Sequence, residues 1–256
     1  MRVTLQFHPD WPAGRTGAGG LVIEAMARDG AYRSQFETGT SNGGLTAYDG
    51  GDRWRWESRL FGGRYDAGPA HRRPVYGALN HHARPHGGSV RFGSAYVRLR
   101  PEVVQRSTFC FPDSVFEPER VGGPELIDEL VALAAASGHD DLDDYVEAHV
   151  HGGVRFVRDA EAVVLDPCFR GTPVERAACD LGCAVEFHPG FRVATDGLDP
   201  TYRGEEYVAL AQRLAEPRGG VLTPDLVGAA ARSAEQDPQA LKRVWHYLAR
   251  FGRVSG

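Results

Sequence analysis

The segment Asp143–Gly153 (DDYVEAHVHGG) alternates between two kinds of side chain. Its odd positions carry aromatic or polar side chains: Tyr145, Glu147, His149 and His151. Its even positions carry small apolar ones: Val146, Ala148 and Val150. A period of two is typical of a β-strand, whose successive side chains point to opposite faces of a sheet. The segment therefore predicts a strand with one apolar face on a core and one polar face in a cleft.

The polar face of this strand is hard to explain by packing. An apolar core would reject a carboxylate and two imidazoles, and water would solvate Lys or Asp there equally well. A solvated edge strand that is rich in histidine is the simpler alternative. We favour a functional site with Glu147 at its centre.

Composition restricts the class of protein. The 256 residues, 42% hydrophobic and 25% charged, suffice for one large domain or for a domain with a small appendage. The net charge of −5 argues against a general binder of the phosphate backbone. No hydrophobic region follows Met1 and no apolar run is long enough to cross a membrane. We therefore expect a cytoplasmic location, or export without a cleavable signal, and no membrane partner.

The rest of the chain alternates between strand and helix patterns. Period-two alternation predicts strands over these segments: Arg2–His8, Arg53–Leu60, Pro74–Asn80, Val90–Leu99, Gln105–Phe111, Val163–Leu165 and Cys183–His188. Apolar spacing and Pro and Gly positions predict these helices: near Leu21–Arg28, over Pro124–Ser137, from Pro173 to about Asp180, and two or three within 204–250. Two of the strands end in Phe-His-Pro, so we expect His8 and His188 at one edge of the sheet. The segment HHARPHGG between two strands is predicted to be an exposed, mobile loop.

A loop rich in Gly, Ser and Thr lies within Tyr32–Leu45. It contains five adjacent residues with small or polar side chains: Thr38, Gly39, Thr40, Ser41 and Asn42. Glycines give such a loop the backbone freedom to present several amide N–H groups to one anion or ribose. A plain surface connection is the alternative.

Three segments resemble the ADP-ribosyltransferase-like superfamily, above all its phage and toxin-type bacterial members. They are RPVYGALN (Arg73–Asn80), FGSAYVRLRPEVVQRSTFCFPDS (Phe92–Ser114) and YVEAHVHGGV (Tyr145–Val154). RSTF (Arg106–Phe109) is similar to the middle motif of that superfamily, and Glu147 is similar to its catalytic glutamate. The first motif, an Arg or a His, has two candidates here, Arg73 and His8. The third motif departs from the pattern at the position two residues after Glu147. His149 stands there instead of another acid or a Gln paired with Glu.

The resemblance implies an α+β domain over residues 1–200, with a central, mostly antiparallel, split β-sheet and flanking helices. Residues 201–256 would form a C-terminal helical cap. The implied activity is that of an ADP-ribosyltransferase or NAD glycohydrolase, with NAD as substrate and a protein, nucleic acid, small molecule or water as acceptor. The implied catalytic residues are Glu147, His149 and His8. The residues implied to contact NAD are Arg73, Tyr76, Arg106, Ser107 and Thr108, together with the loop residues Thr38, Gly39, Thr40, Ser41 and Asn42.

These residue types suit that chemistry. Cleavage of the nicotinamide–ribose bond develops positive charge on the sugar, which a fixed carboxylate stabilises. Arginine or histidine supplies donors to the phosphates or the ribose. The sequence has no GxGxxG, P-loop or HExxH motif, and no metal is required.

Two other classes of protein remain open from the residues. His149 and His151, with His8, His188 or His81, have the ligand types of a metal-dependent hydrolase. A nucleotide- or protein-binding module without catalysis is the other class. Metal content separates the first class from an NAD-consuming enzyme, and loss of NAD in an incubation separates the second.

Overall fold

The structure, a computed structural model, describes residues 1–14, 20–39 and 46–255. Its strands, in chain order, are β1 Arg2–Phe7, β2 Ala31–Tyr32, β3 Val75–Asn80, β4 Ala95–Leu99, β5 Ser107–Cys110, β6 Val121–Gly122, β7 Glu147–Val150, β8 Val154–Arg155, β9 Ala160–Leu165, β10 Ala184–Phe187, β11 Val193–Ala194 and β12 Val221–Leu222. Its α-helices are α1 Val22–Asp29, α2 Gln35–Thr38, α3 Asp52–Leu60, α4 Ile127–Ser137, α5 Phe156–Asp159, α6 Pro173–Cys179, α7 Glu205–Ala215, α8 Pro224–Ser233 and α9 Pro238–Phe251.

A single large sheet organises the fold. Its eight strands follow the order β10-β9-β4-β1-β3-β7-β5-β6. Neighbouring strands run antiparallel except β9 and β10, which are parallel. The predicted α+β class with a mostly antiparallel sheet is therefore confirmed. The predicted split is not seen in the described residues, because hydrogen-bonded neighbours connect β10 to β6 without a break.

Two apolar clusters support the sheet and the helical tail. The larger one lies on one face of the central strands, where alternate residues such as Val3, Leu79 and Val97 pack with helices α1, α4 and α6. The smaller one lies among α7, α8 and α9, where Trp245 and Tyr247 are buried, and it also includes Val90 and Phe191. Because the second cluster draws on residues before 200, the helical tail is packed onto the rest of the chain and the boundary at residue 200 stays a prediction. Among the described helices, none has the length and apolar character that crossing a bilayer needs.

One predicted strand is wrong. Residues Arg53–Leu60 lie within helix α3, which begins after the extended residue Gly51 and buries Glu57. Eight residues make only about two helical turns, and alternation over so short a stretch does not exclude a helix. Tertiary contacts decided for the helix, because its buried face places Glu57 against Arg73, whose ion-pair distance is 2.6 Å.

Two further expectations need correction. The predicted strand Val90–Leu99 begins as a 3-10 helix over Val90–Phe92, and only Ala95–Leu99 is strand. Between them, a Cβ atom on Gly93 would collide with the backbone of Phe7, so this close approach requires glycine. The HHARPHGG loop is also not wholly exposed, because His86 is buried and its Nε2 lies 3.0 Å from the carbonyl oxygen of Gly190.

The two Phe-His-Pro segments end at the same edge of the sheet, as predicted, but they are not side by side. Strands β1 and β10 run parallel with β4 and β9 between them. His8 stacks on Trp11, with 4.2 Å between ring centroids, and meets Trp245 of α9 edge-on at 4.8 Å. His188 lies 2.8 Å from the carbonyl oxygen of Ser94. Both histidines are therefore packed against the junction between sheet and cap.

We expect this junction to lose stability in acid. Burial lowers the pKa of His8 from 6.5 to about 3. Below pH 6.5 His8 becomes protonated in the unfolded chain, whereas in the folded chain it stays neutral down to about pH 3. The free energy of unfolding therefore falls as the pH drops from 6.5 to about 3. Between pH 7.5 and pH 5 the loss from His8 is about 2 kcal/mol.

The variant His8→Phe keeps an aromatic ring against both tryptophans and removes the titration. Urea unfolding at pH 7.5 and pH 5 should show that the variant loses about 2 kcal/mol less stability than the wild type over this interval. An equal pH dependence of the two proteins would contradict this assignment.

Candidate functional site

Strand β7 places Glu147 and His149 near the centre of the second half of the sheet. Glu147 is opposite Ala78 of β3 and Cys110 of β5. Contrary to the expected open cleft, both faces of β7 are buried, with exposures of 5% for Glu147 and 0% for His149. The segment that follows α3 covers the polar face, and the ring of Phe61 meets His149 edge-on at 5.2 Å.

The carboxylate of Glu147 accepts hydrogen bonds from side chains and backbone around it. Its Oε1 lies 3.0 Å from Nε2 of His149 and accepts the backbone N–H of Ser114 at 3.2 Å. The Cys110 thiol also points to Oε1, at 3.8 Å. Oε2 accepts the Ser114 hydroxyl at 3.3 Å. The two oxygens are thus held unequally, with three donors near Oε1 and one at Oε2.

These contacts keep the carboxylate ionised despite its burial. Burial by itself raises the pKa of Glu147, but the His149 hydrogen bond, the charge of Arg53 and the Ser114 hydrogen bond together lower it below its ordinary value. Arg53 donates to the Ser114 hydroxyl at 3.2 Å, and its guanidinium lies 4.8 Å from the Tyr76 ring centroid. The site therefore holds a fixed negative charge next to a cation.

A second buried carboxylate, that of Glu57, shares Arg53 with Glu147 as a nearby cation. Glu57 of α3 accepts hydrogen bonds from Arg73 at 2.6 Å and from the Tyr76 hydroxyl at 3.1 Å. Arg73 is 2% exposed, and its guanidinium lies 4.1 Å from the Phe36 ring centroid. Burial raises the pKa of Glu57, although Arg73 and Tyr76 oppose that effect.

The loop after β5, which carries Ser114, is held in place by Asp113 and Tyr145. Asp113 caps the short 3-10 helix Ser114–Phe116 by accepting the N–H of Val115 at 2.9 Å. The Tyr145 hydroxyl donates to the other carboxylate oxygen of Asp113. These contacts fix the backbone of Ser114, and this position sets the N–H that Glu147 accepts.

A row of polar side chains continues from His149 to the next turn. The Thr108 hydroxyl lies 3.1 Å from Nδ1 of His149 and 2.9 Å from Nε2 of His151. The Tyr65 hydroxyl lies 2.6 Å from Nδ1 of His151. Burial, with the charges of Arg64 and Arg106, lowers the pKa of His151 to about 4. His151 is therefore neutral at pH 7.

Three buried side chains have the donor types of a metal site. Ligand atoms of Cys110, Glu147 and His149 all lie within 4.8 Å of one another. Thiolate, carboxylate and imidazole are the ligands that Zn²⁺ binds in proteins. Burial together with the nearby carboxylates of Glu147 and Asp113 raises the pKa of the Cys110 thiol when no metal is bound. The fixed charge of Arg53 also stands next to the cluster.

The structure brings together five of the residues predicted for the site: Glu147, His149, Thr108, Tyr76 and Arg73. Three others serve elsewhere: Ser107 donates its hydroxyl to the carbonyl of Val103, Arg106 binds the carbonyls of His151 and Gly153, and His8 packs against the cap. The predicted catalytic role of His8 thus has no geometric support, because β1 directs it to the edge of the sheet where the cap packs.

The predicted loop contacts are resolved only in part. Thr38 ends helix α2, and its hydroxyl bonds the carbonyls of Ser34 and Gln35. Gly39 is the C-cap of that helix, with φ 63°. Three of the five predicted loop residues lie outside the described part of the chain: Thr40, Ser41 and Asn42.

Several residues of the site were missed by sequence reasoning. They are Arg53, Glu57, Phe61, Tyr65, Cys110 and Ser114. The first four belong to α3 and the turn after it, and the error there was to read α3 as a strand. As a helix, the same letters put Arg53 and Glu57 on one face at a spacing of four, which is a readable signal. Ser114 lay within a quoted motif but carried no pattern of its own.

A comparison with protein families identifies the family of this chain. The chain matches the family described as Protein of unknown function (DUF3626) over residues 2–137 and 125–251. The chain belongs to the DUF3626 family. The matched regions include every residue of the site, from Arg53 to His151. A comparison with curated proteins found no match.

The Glu57–Arg73 pair makes a stability prediction for this DUF3626 protein. Replacing Arg73 with Met leaves a buried carboxylate without its main partner, so we expect a loss of about 3–5 kcal/mol in the free energy of unfolding. The control is Arg55→Met, on helix α3 with Glu57, which breaks only an exposed ion pair with Asp52. This variant should lose less than about 1 kcal/mol in the free energy of unfolding. Urea unfolding measures both, and similar small losses for the two variants would refute the role of Arg73.

Proposed function

We propose that this protein is an NAD-consuming enzyme, an ADP-ribosyltransferase or NAD glycohydrolase, with Glu147 as its central carboxylate. The observation that carries the proposal is the ionised Glu147 carboxylate, which is buried, held by His149 and Ser114, and next to Arg53. A fixed charge in a water-poor site stabilises an opposite charge that develops during a reaction more strongly than water would.

The reaction that uses such a charge breaks the bond between C1′ of the ribose and the nicotinamide nitrogen. The bonding electron pair leaves with nicotinamide, and positive charge appears on the sugar. In the proposed reaction, Glu147 stabilises that charge and accepts a hydrogen bond from a hydroxyl group of the ribose. An acceptor nucleophile or water then forms the new bond to C1′ and gives up its proton.

Arginines beside Glu147 supply the groups that would hold the diphosphate of NAD. In the described part of the chain, Nη2 of Arg73 has no hydrogen-bond partner, and it lies 3.9 Å from Oδ1 of the exposed Asp49. A buried donor without a partner is costly and often marks a ligand position. Arg53, Tyr76 and Thr108 are half-buried, so the site meets the surface on the side of these three residues.

Glu147→Gln tests the proposal. Glutamine keeps the shape and most hydrogen bonds but removes the charge, so NAD turnover should fall by about 100-fold or more. Nicotinamide release from NAD measures this, with Glu186→Gln as a control because Glu186 is an exposed partner of Arg98. Turnover by Glu147→Gln within a few-fold of the wild type would remove Glu147 from the mechanism.

A mass measurement identifies the acceptor class. After incubation of the protein with NAD and a cell lysate, protein or nucleic acid that gains an ADP-ribose unit marks a transferase, and free ADP-ribose alone marks a glycohydrolase. A wild-type protein that consumes no NAD in either condition would instead favour a non-catalytic nucleotide-binding module.

The Cys110–Glu147–His149 cluster favours one other function, a metal-dependent hydrolase. His149 and His151 do not share a metal position, because the Thr108 hydroxyl lies between them. A metal there would instead be held by Cys110, Glu147 and His149, and it would supply a Lewis acid or a bound hydroxide.

We expect NAD turnover to survive both EDTA and Cys110→Ala. The physical reason is that the fixed charge of Arg53 disfavours a cation, while the proposed chemistry needs only the charge of Glu147. Elemental analysis of the purified protein provides the measurement. Near-stoichiometric zinc or manganese that is lost in Cys110→Ala, together with activity that returns only on adding the metal, would establish the hydrolase instead.

A further inference from the structure

Four side chains connect Glu147 to the turn after β7 by consecutive hydrogen bonds. The bonds join Tyr65 to His151 at 2.6 Å, His151 to Thr108 at 2.9 Å, Thr108 to His149 at 3.1 Å, and His149 to Glu147 at 3.0 Å. Strand pairing sets this spacing, because Thr108 of β5 is directly opposite His149 of β7. We name these four residues, Tyr65, His151, Thr108 and His149, the polar relay.

The direction of each bond follows from the end of the chain. An ionised carboxylate only accepts, so Nε2 of His149 carries the hydrogen. A neutral His149 then presents Nδ1 as an acceptor, and the single hydrogen of Thr108 points to it. The Thr108 oxygen in turn accepts Nε2–H of His151, whose Nδ1 accepts the Tyr65 hydroxyl. His149, Thr108 and His151 thus each donate once and accept once, and the Tyr65 hydroxyl donates at the far end.

The far end of the polar relay is held by its own contacts. The Tyr65 ring stacks on His151, with 6.0 Å between centroids, and Phe61 meets both imidazoles edge-on at 5.2 and 5.3 Å. Arg106 donates to the carbonyl oxygens of His151 and Gly153. These contacts fix the ring of His151, and a fixed ring is needed if its tautomer is to determine that of His149.

The polar relay makes the two oxygens of Glu147 different. Oε1 is approached by His149, the Ser114 N–H and the Cys110 thiol, whereas Oε2 accepts only the Ser114 hydroxyl. A carboxylate oxygen has two acceptor positions, so Oε1 is filled and Oε2 keeps one position free.

We propose that Tyr65, His151 and Thr108 are positioning residues that fix His149 as its Nε2–H tautomer, so that Oε1 of Glu147 is occupied and Oε2 is the oxygen presented to the ribose. The catalytic part of this inference rests on the proposed function, while the tautomer stands independently of it. Ring tautomers set by a hydrogen bond to the second nitrogen are a known device for orienting a catalytic group.

One other arrangement satisfies the same distances, and it separates cleanly from the proposal. A doubly protonated His149 would donate from Nδ1 to Thr108, and this would reverse each bond beyond it, so that His151 donates from Nδ1 to Tyr65. The two arrangements differ in the number of protons on His149 and in which nitrogen of His151 is protonated. Both properties are visible in the ¹⁵N spectrum of the imidazole rings.

The first experiment uses the full chain labelled with ¹⁵N-histidine, at pH 7 and without NAD. We expect both His149 and His151 to show one protonated nitrogen, Nε2, and one unprotonated nitrogen, Nδ1. Thr108→Val keeps the shape of the side chain and removes the link, so His149 should lose its single tautomer, while Thr108→Ser should retain it. Signals of an imidazolium or an Nδ1–H tautomer for His149 in the wild type, or no change in Thr108→Val, would overturn the proposal.

The second experiment measures NAD turnover by the same variants. Thr108→Val should lower kcat about 10- to 100-fold with little change in KM, and Thr108→Ser should recover most of it. Thr195→Val is the matched control, since its buried hydroxyl bonds Gly220 in the cap. Tyr65→Phe, which breaks the relay at its other end, should act in the same direction as Thr108→Val even if that variant folds poorly.

These arms distinguish the failure of the two proposals. A wild type that leaves NAD intact refutes the proposed function, and the ¹⁵N spectra still decide the tautomer. A wild type that consumes NAD, with Thr108→Val equal to Thr195→Val in kcat, refutes the positioning role alone.

Discussion

The burial of an ionised carboxylate in the middle of a sheet is the constraint on which the rest of this site depends. Moving a charge out of water is costly unless donors and opposite charge replace the water. Here His149, Ser114 and Arg53 replace it, and together they outweigh the effect of burial on the pKa of Glu147. Each of these partners needs its own support, so the polar network extends outward from this single group.

That network has two branches with different structural roles. On one side, Glu57 and Arg73 join helix α3 to strand β3, and Asp113 with Tyr145 fixes the loop that carries Ser114. These contacts hold backbone and charge in place. On the other side, the polar relay from His149 to Tyr65 selects hydrogen positions. A fully satisfied buried network rigidifies its surroundings, and it is sensitive to the loss of any member.

The cap is a separate physical system. Its apolar cluster centres on Trp245 and Tyr247, and its histidines, including His8 and His188, are packed without the carboxylate partners of the site. The site lies between β3, β5, β7 and α3. The cap instead packs at the end of the sheet where β1 and β10 finish, next to His8 and His188. Acid should therefore destabilise the junction between cap and sheet first, because burial lowers the pKa of the histidines there.

The sequence alone determined the strand around Glu147, the order of most helices and strands, and the helical character of the tail with two or three helices, because their periodicity and their Pro and Gly boundaries are local properties. The alternation of the strand also marked Glu147 and His149, and the resemblance to the ADP-ribosyltransferase-like superfamily marked Thr108, Tyr76 and Arg73. Only the tertiary structure decided that both faces of β7 are covered and that residues 52–60 are helical. It alone brought Arg53, Tyr65 and Ser114 to the site and sent His8 to the cap. The physical reason is that burial and hydrogen-bond partners arise between strands and helices far apart in the chain, and the period of one segment carries no information about its neighbours in space.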